Sequence, residues 1–233
     1  MMPTNDILTE HEIAINSAER RVFHLLHSLE WQLHCEKKSG CIWRMRCNIT
    51  ENNMFRFEGI IHNRTPAEVA VMIHPEGLHR AKWDSQSAGT SLLQEVDPET
   101  SIILHETKSR MMGLVAPRET VDLCRFSTDP EDGTRTVVMV SVSHEKAPLR
   151  AGTVRAHTHP TLLVISPLGT SDTKITSILH AELHLFGVPT SVVESLIPKG
   201  IHTFFDDLNK YASKTRNEGL SAASTHWMVL NFF

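Results

Sequence analysis

PTSVVESLIPKGIHTFFDDLNKYASK, residues 189–214, decides the fold. Val192, Val193, Leu196, Ile197, Ile201, Phe204, Phe205, Leu208, Tyr211 and Ala212 recur at i, i+3, i+4. That spacing predicts one long helix with a broad apolar face, kinked where Pro198 and Gly200 fall inside it. A face so wide, carrying two phenylalanines, has to cover something large.

What lies upstream is mostly strand-like. IWRMRCNIT (42–50) and MFRFEGII (54–61) alternate around a polar ENN turn and predict a hairpin. SLLQEVD and TSIILHETK flank a turn at Asp97-Pro98-Glu99. TVDLCRF and TVVMVSVSH flank DPEDG (129–133), and TLLVISPL (161–168) and KITSILHAELHLF (174–186) add two further runs. Two helices interrupt this plan: residues 6–30, with Ile15, Ala18, Val22, Leu25, Leu26 and Leu29 in register, and 65–73, with Thr65 as N-cap and Pro66 at the first helical position. Short turns between about nine strands predict an antiparallel sheet. An antiparallel sheet laid against one long amphipathic helix is an α+β arrangement, and if the sheet curves it encloses space for a small apolar ligand.

Composition narrows the function classes. The chain has 233 residues, 40% of them hydrophobic, and a net charge of −4, so no basic excess points to nucleic acid or to a strongly anionic membrane. No run reaches the length of a membrane span, and the first residues lack the pattern of a signal peptide. The expected location is therefore the cytoplasm, with Cys35, Cys41, Cys47 and Cys124 as reduced, mostly buried thiols. No nucleophile motif, phosphate-binding loop or paired acids are evident, so no catalytic residue is assigned.

Ordered landmarks carry a resemblance: Trp31, FRFEGII (55–61), KWD (82–84), APRETVDL (116–123), GTVRAHTHP (152–160), SPLGTSDTKIT (166–176) and AELHLFGVPTSVVES (181–195). In this order and spacing they resemble the StAR-related lipid transfer (START) domain, most nearly its small, single-domain soluble members, over roughly residues 20–214. The resemblance implies a helix-grip fold with a lipid tunnel, lipid binding and transfer without catalysis, and a gating loop at Ser109–Ala116. The expected division of the chain is a domain over 1–214, which includes the N-terminal helix, and a partly apolar tail over 215–233. Two departures stand out. The family's P-R-D-F corner reads Pro117-Arg118-Glu119-Thr120, so the aromatic is lost. The family's buried acid maps onto Glu106, while its arginine partner maps onto Cys124.

The expected site follows from these readings. Glu106, on a strand face with Ile102 and Leu104, is the polar anchor for a ligand hydroxyl. Leu104, Val138, Val140, Val142, Phe204 and Leu208 form the apolar wall, with Cys124 at the retuned position. Met111, Met112, Gly113 and Leu114 supply a pliable lip over the mouth, and Arg118 clamps the hinge through a carboxylate from Glu58, Asp84 or Asp122. The expected ligand is one sterol, bile acid, carotenoid or phospholipid-like molecule, exchanged through transient membrane contact, with no cofactor and no metal. The histidines of HTH (157–159) and HAELH (180–184) support an alternative, a cyclase-like or metal-dependent enzyme on the same scaffold, although the resemblance implies that 180, 182 and 184 take the solvent side and Leu179, Ala181, Leu183 and Leu185 the inner face. A further reading, a ligand sensor, rests on the apolar stretch His226–Phe233.

Overall fold

The computed structural model describes residues 9–47, 50, 53–75, 77–109, 115–185 and 190–216, the side chains of 190, 191, 193 and 194 excepted. Helix α1 (Glu10–Leu26) opens with a capping box, in which Thr9 and Glu12 satisfy each other's backbone N–H groups, and buries Ile15, Ala18 and Val22. It is shorter than the expected 6–30. Strands β1 (Gln32–Lys37), β2 (Gly40–Arg46) and β3 (Asn53–Ile61) follow, then α2 (Pro66–Ile73) with Thr65 and Glu68 as its capping box, and the single turn α3 (Arg80–Trp83). Next come β4 (Ser87–Asp97), β5 (Thr100–Thr107), β6 (Arg118–Thr128), β7 (Arg135–Ser141), β8 (Val154–Arg155), β9 (His157–Thr158), β10 (Thr161–Leu168), β11 (Asp172–Leu179) and β12 (Ala181–Glu182). Helix α4 (Thr190–Lys214) closes the fold and runs as one element through Pro198.

The main sheet has the order β1-β2-β3-β11-β10-β7-β6-β5-β4, antiparallel throughout, with β8 added in parallel beside β6; β9 and β12 form a separate ribbon. Both faces of this sheet are covered. On one, α1 packs Ile15, Ala18 and Val22 against Ile102, Leu123, Val138 and Leu162. On the other, α2 and α4 pack against Phe55, Phe57, Ile103, Phe126, Ile165 and Ile175.

Helix α4 is fixed to the sheet at both levels. The Phe205 ring stacks on Phe57 at 3.8 Å. Phe57 in turn lies over Gly40 and Gly59; a Cβ at Gly59 would stand 2.6 Å from that ring, so a side chain there would displace the stack. At the helix's far end the buried Arg64 donates from Nη2 to the Ala212 carbonyl at 2.9 Å and to Thr215 Oγ1 at 3.1 Å, satisfying a group that a helix C-terminus leaves open.

Candidate functional site

Between α4 and its face of the sheet lies a cavity of about 390 Å³. That is within the ~300–1,000 Å³ typical of ligand pockets. Helix α4 contributes Leu196, Ile197, Ile201, Phe204 and Phe205; the sheet contributes Met139 and Leu163. The segment around β12 adds Leu179, Ala181, Leu183 and Leu185, the set that the resemblance places on the inner face. Polar groups break this apolar lining at Arg80, Asp84, His105, Arg118, Thr120, Thr161 and Ser177.

The predicted wall is only partly placed as expected. Phe204 lines the cavity, and Leu208 is buried in the same core without reaching it. Leu104, Val138, Val140 and Val142 pack on the α1 side instead. Alternation separates the two faces of a strand but does not say which is inner, and here both are apolar. On β7 the inner residues are Val137 and Met139. Met111, Met112, Gly113 and Leu114 lie outside the described residues; Val115, just beyond, is buried and borders the cavity.

Glu106 borders the cavity, but it has a partner that sequence spacing does not reveal. Arg150 donates to it at 2.5 Å and also to Glu119 at 2.6 Å. Glu119, opposite Glu106 in the β5–β6 register, takes a further bond from Arg155 at 2.7 Å. Burial pushes the Glu119 carboxyl up, but the hydrogen bonds from Arg155 and Arg150 outweigh that and hold it below the usual carboxylate range. The cation that answers Glu106 thus comes from a loop rather than from the position of Cys124 on β6.

Cys124 itself is buried, with Sγ 4.0 Å from His105 Nε2. It belongs to a polar cluster that sequence reading missed. Asp122 accepts from Thr120 Oγ1 at 2.6 Å and from Ser141 Oγ at 2.8 Å, and His105 Nε2 stands 3.9 Å from it. Burial pushes the His105 imidazole down to about 4 despite that acid, so it is neutral at physiological pH. Strict alternation from Thr120 through Asp122 to Cys124 on the inner face was the available signal.

Arg118 lines the cavity but pairs with no carboxylate among the described residues. Glu58 is taken by Arg56 and Lys174, Asp84 by Arg80, and Asp122 by the hydroxyls. The guanidinium donates instead to the carbonyls of Ala116 and, at 3.2 Å, Leu183. It therefore ties the corner after the expected loop to the segment beyond β12 through backbone rather than charge.

The histidines form a packed cluster. His159 stacks on His180 at 4.2 Å and meets Glu182 at 2.7 Å; His180 Nε2 lies 2.9 Å from Thr50 Oγ1. His180 is buried, not on the solvent side as expected: it follows Ile178 onto the face of the sheet that α1 covers. Burial pushes its pKa down to about 4. Among the described residues no group of three His, Cys, Asp or Glu side chains is placed to hold a metal ion.

Comparison with known proteins gives a consistent picture. The model of the START domain matches residues 24–216. StAR-related lipid transfer protein 5 of Bos taurus is 27% identical over 212 residues, 90% of this chain and 98% of its own. Its counterpart in Mus musculus is 33% identical over 165 residues, 70% and 76% respectively. The solved human StAR-related lipid transfer protein 5 superposes with a TM-score of 0.81 at 26% identity, over 88% of this chain and 97% of that one. Human STARD10, at 16% identity and a TM-score of 0.71 over 93% of this chain and 86% of its own, is similar in fold.

Proposed function

The chain belongs to the START domain family, and from that premise we propose that it carries one lipid molecule in the cavity beneath α4 and transfers it between membranes. Its relatives are lipid transfer proteins by name. The observation that carries the reading is the cavity itself: about 390 Å³, lined mainly by aliphatic and aromatic side chains and roofed by an amphipathic helix. Removal of the ligand's apolar surface from water, at ~25 cal/mol per Å², supplies the driving force. A sterol, bile acid, carotenoid or phospholipid-like chain fits this chemistry. The polar lining then orients the ligand, with the neutral His105 and Thr120 on the inner wall and Asp122, held by two hydroxyls, buried behind them.

Exchange requires the cavity to open. Residues 109–116 and α4 are the proposed moving parts, as lids are in other ligand-enclosing proteins. No helix among the described residues is long and apolar enough to cross a membrane. The proposed carrier meets membranes transiently and works in the cytoplasm. The test is native mass spectrometry of the purified protein, followed by titration with fluorescent sterol, bile acid, retinoid and phospholipid. Saturable binding near one molecule per chain and transfer between vesicles are expected. Absence of saturable binding across that set refutes the reading.

A further inference from the structure

Arg118 is an unusual cation for an apolar cavity. It is 9% exposed, it lines the cavity, and both of its bonds go to carbonyl oxygens. Its Nη2 has no partner among the described residues. An arginine stays charged under all ordinary conditions, and burying that charge without a counter-ion costs several kcal/mol. Burial lowers its pKa, and no carboxylate among the described residues counters that effect.

The neighbouring acids are committed elsewhere. Glu119 and Glu106 adjoin it in sequence and register, but they sit on the other face of the sheet and are bound by Arg150 and Arg155. Asp122 shares the inner face, yet four residues of strand separate the two, about 13 Å at ~3.3 Å per residue. Its oxygens are held by Thr120 and Ser141. Asp84 is paired with Arg80 at 3.1 Å. Lys108, which also lines the cavity at this end, adds a second positive charge.

We infer that Arg118 is the head-group subsite of the cavity and that it binds the carboxylate of an anionic lipid. The apolar body of that lipid lies along Leu196, Ile197, Ile201 and Phe204, and its carboxylate accepts from Nη2. A single negative charge matches the single free guanidinium edge. This inference rests on the carrier reading above and narrows its ligand class. It also gives the ligand a hold on the mouth, because the same guanidinium grips the carbonyl of Ala116.

The test compares ligands that differ only in charge: oleic acid against methyl oleate, and cholanic acid against its methyl ester, by calorimetric titration at pH 8. A charge-assisted hydrogen bond is worth ~1.5–3 kcal/mol, so wild type should bind each acid roughly tenfold or more tighter than its ester. In Arg118→Gln the ratio of acid to ester affinity should fall to about one, whatever change the two share; Arg118→Lys should keep part of the preference. Equal binding of acid and ester by wild type overturns the subsite, as does an Arg118→Gln protein that keeps the preference. If Arg118→Gln does not fold, by circular dichroism, the wild-type comparison and Arg118→Lys decide. Binding of cholesterol or phosphatidylcholine with no binding of either acid overturns the subsite and leaves the carrier reading standing. Binding of no lipid at all overturns both.

Discussion

Replacing Val138 and Met139 by alanine, one at a time, separates the two faces of β7 by their consequences. Val138 is 1% exposed and packs in the core beneath α1. Deleting two of its carbons loses ~0.8 kcal/mol each in transfer energy, and the void that α1 cannot fill raises the total to about 2–3 kcal/mol. At ~2–4 °C per kcal/mol for a chain of this size, Tm should fall by roughly 4–12 °C. Met139 is half-buried and borders the cavity. Its truncation enlarges existing space, so the free protein should lose only about 1 kcal/mol. The bound lipid, however, loses contact with the thioether, and affinity should drop about three- to thirtyfold at ~1.4 kcal/mol per tenfold. Urea unfolding reads the first quantity and displacement of a neutral fluorescent lipid reads the second, both at temperatures where each variant is folded. If Val138→Ala weakens binding more than Met139→Ala does, the faces have been assigned the wrong way round and the cavity does not hold the lipid.

Three further outcomes follow from the polar network and the histidines. Glu119→Ala leaves Arg150 and Arg155 without their shared acceptor; both guanidinia are partly exposed and can rehydrate, so the loss in urea unfolding should be about 2–3 kcal/mol. The Glu119 carboxyl is held below its ordinary value in the fold, so the network's contribution is full above about pH 4.5 and vanishes as pH falls through the folded value; the stability difference between wild type and Glu119→Ala should shrink there. His180, lowered from 6.5 to about 4 by burial, binds a proton more readily when unfolded, so stability should fall by about 3 kcal/mol between pH 6.5 and 4 on its account. His180→Gln should flatten that slope, and an unchanged slope would show the ring to be solvated. Dialysis against a chelator should leave Tm and lipid binding unaltered; stoichiometric zinc in the purified protein, lost with activity or stability, would instead favour the enzyme alternative.

Much of the fold was legible in sequence because its signals are local. The long helical stripe appears as α4, Thr65-Pro66 caps α2 as expected, and TLLVISPL is β10 to the residue. What was missed has physical reasons. Strand β1 lies at the sheet edge with most of its side chains exposed, so it shows no apolar alternation. Strands β9 and β12 are two residues each, too short to carry a period. Residues 174–186 read as one run, but the chain breaks at His180, where a neighbour distant in sequence, Thr50, holds the imidazole. The site was less legible than the fold. Arg150 reaches Glu106 and Glu119 across 44 and 31 residues, a pairing that no spacing rule contains.

That distribution of charge has a consequence for how the cavity selects its contents. Among the described residues, the acids close to the cavity are already answered: Glu106 and Glu119 by Arg150 and Arg155 on the α1 face, Asp84 by Arg80, and Asp122 by two hydroxyls. His105 is held neutral by burial. A fixed internal ion pair would leave the cavity electrically silent and would favour an uncharged lipid bound by shape alone. Here the pairs are closed and one buried guanidinium is left over, so the cavity's net field is positive. A ligand with a matching anion removes a burial cost that the empty protein carries, whereas a neutral lipid of the same shape leaves it in place. Affinity should therefore track head-group charge at constant hydrocarbon area, and it should lose that dependence as pH falls below the ligand's own carboxyl pKa.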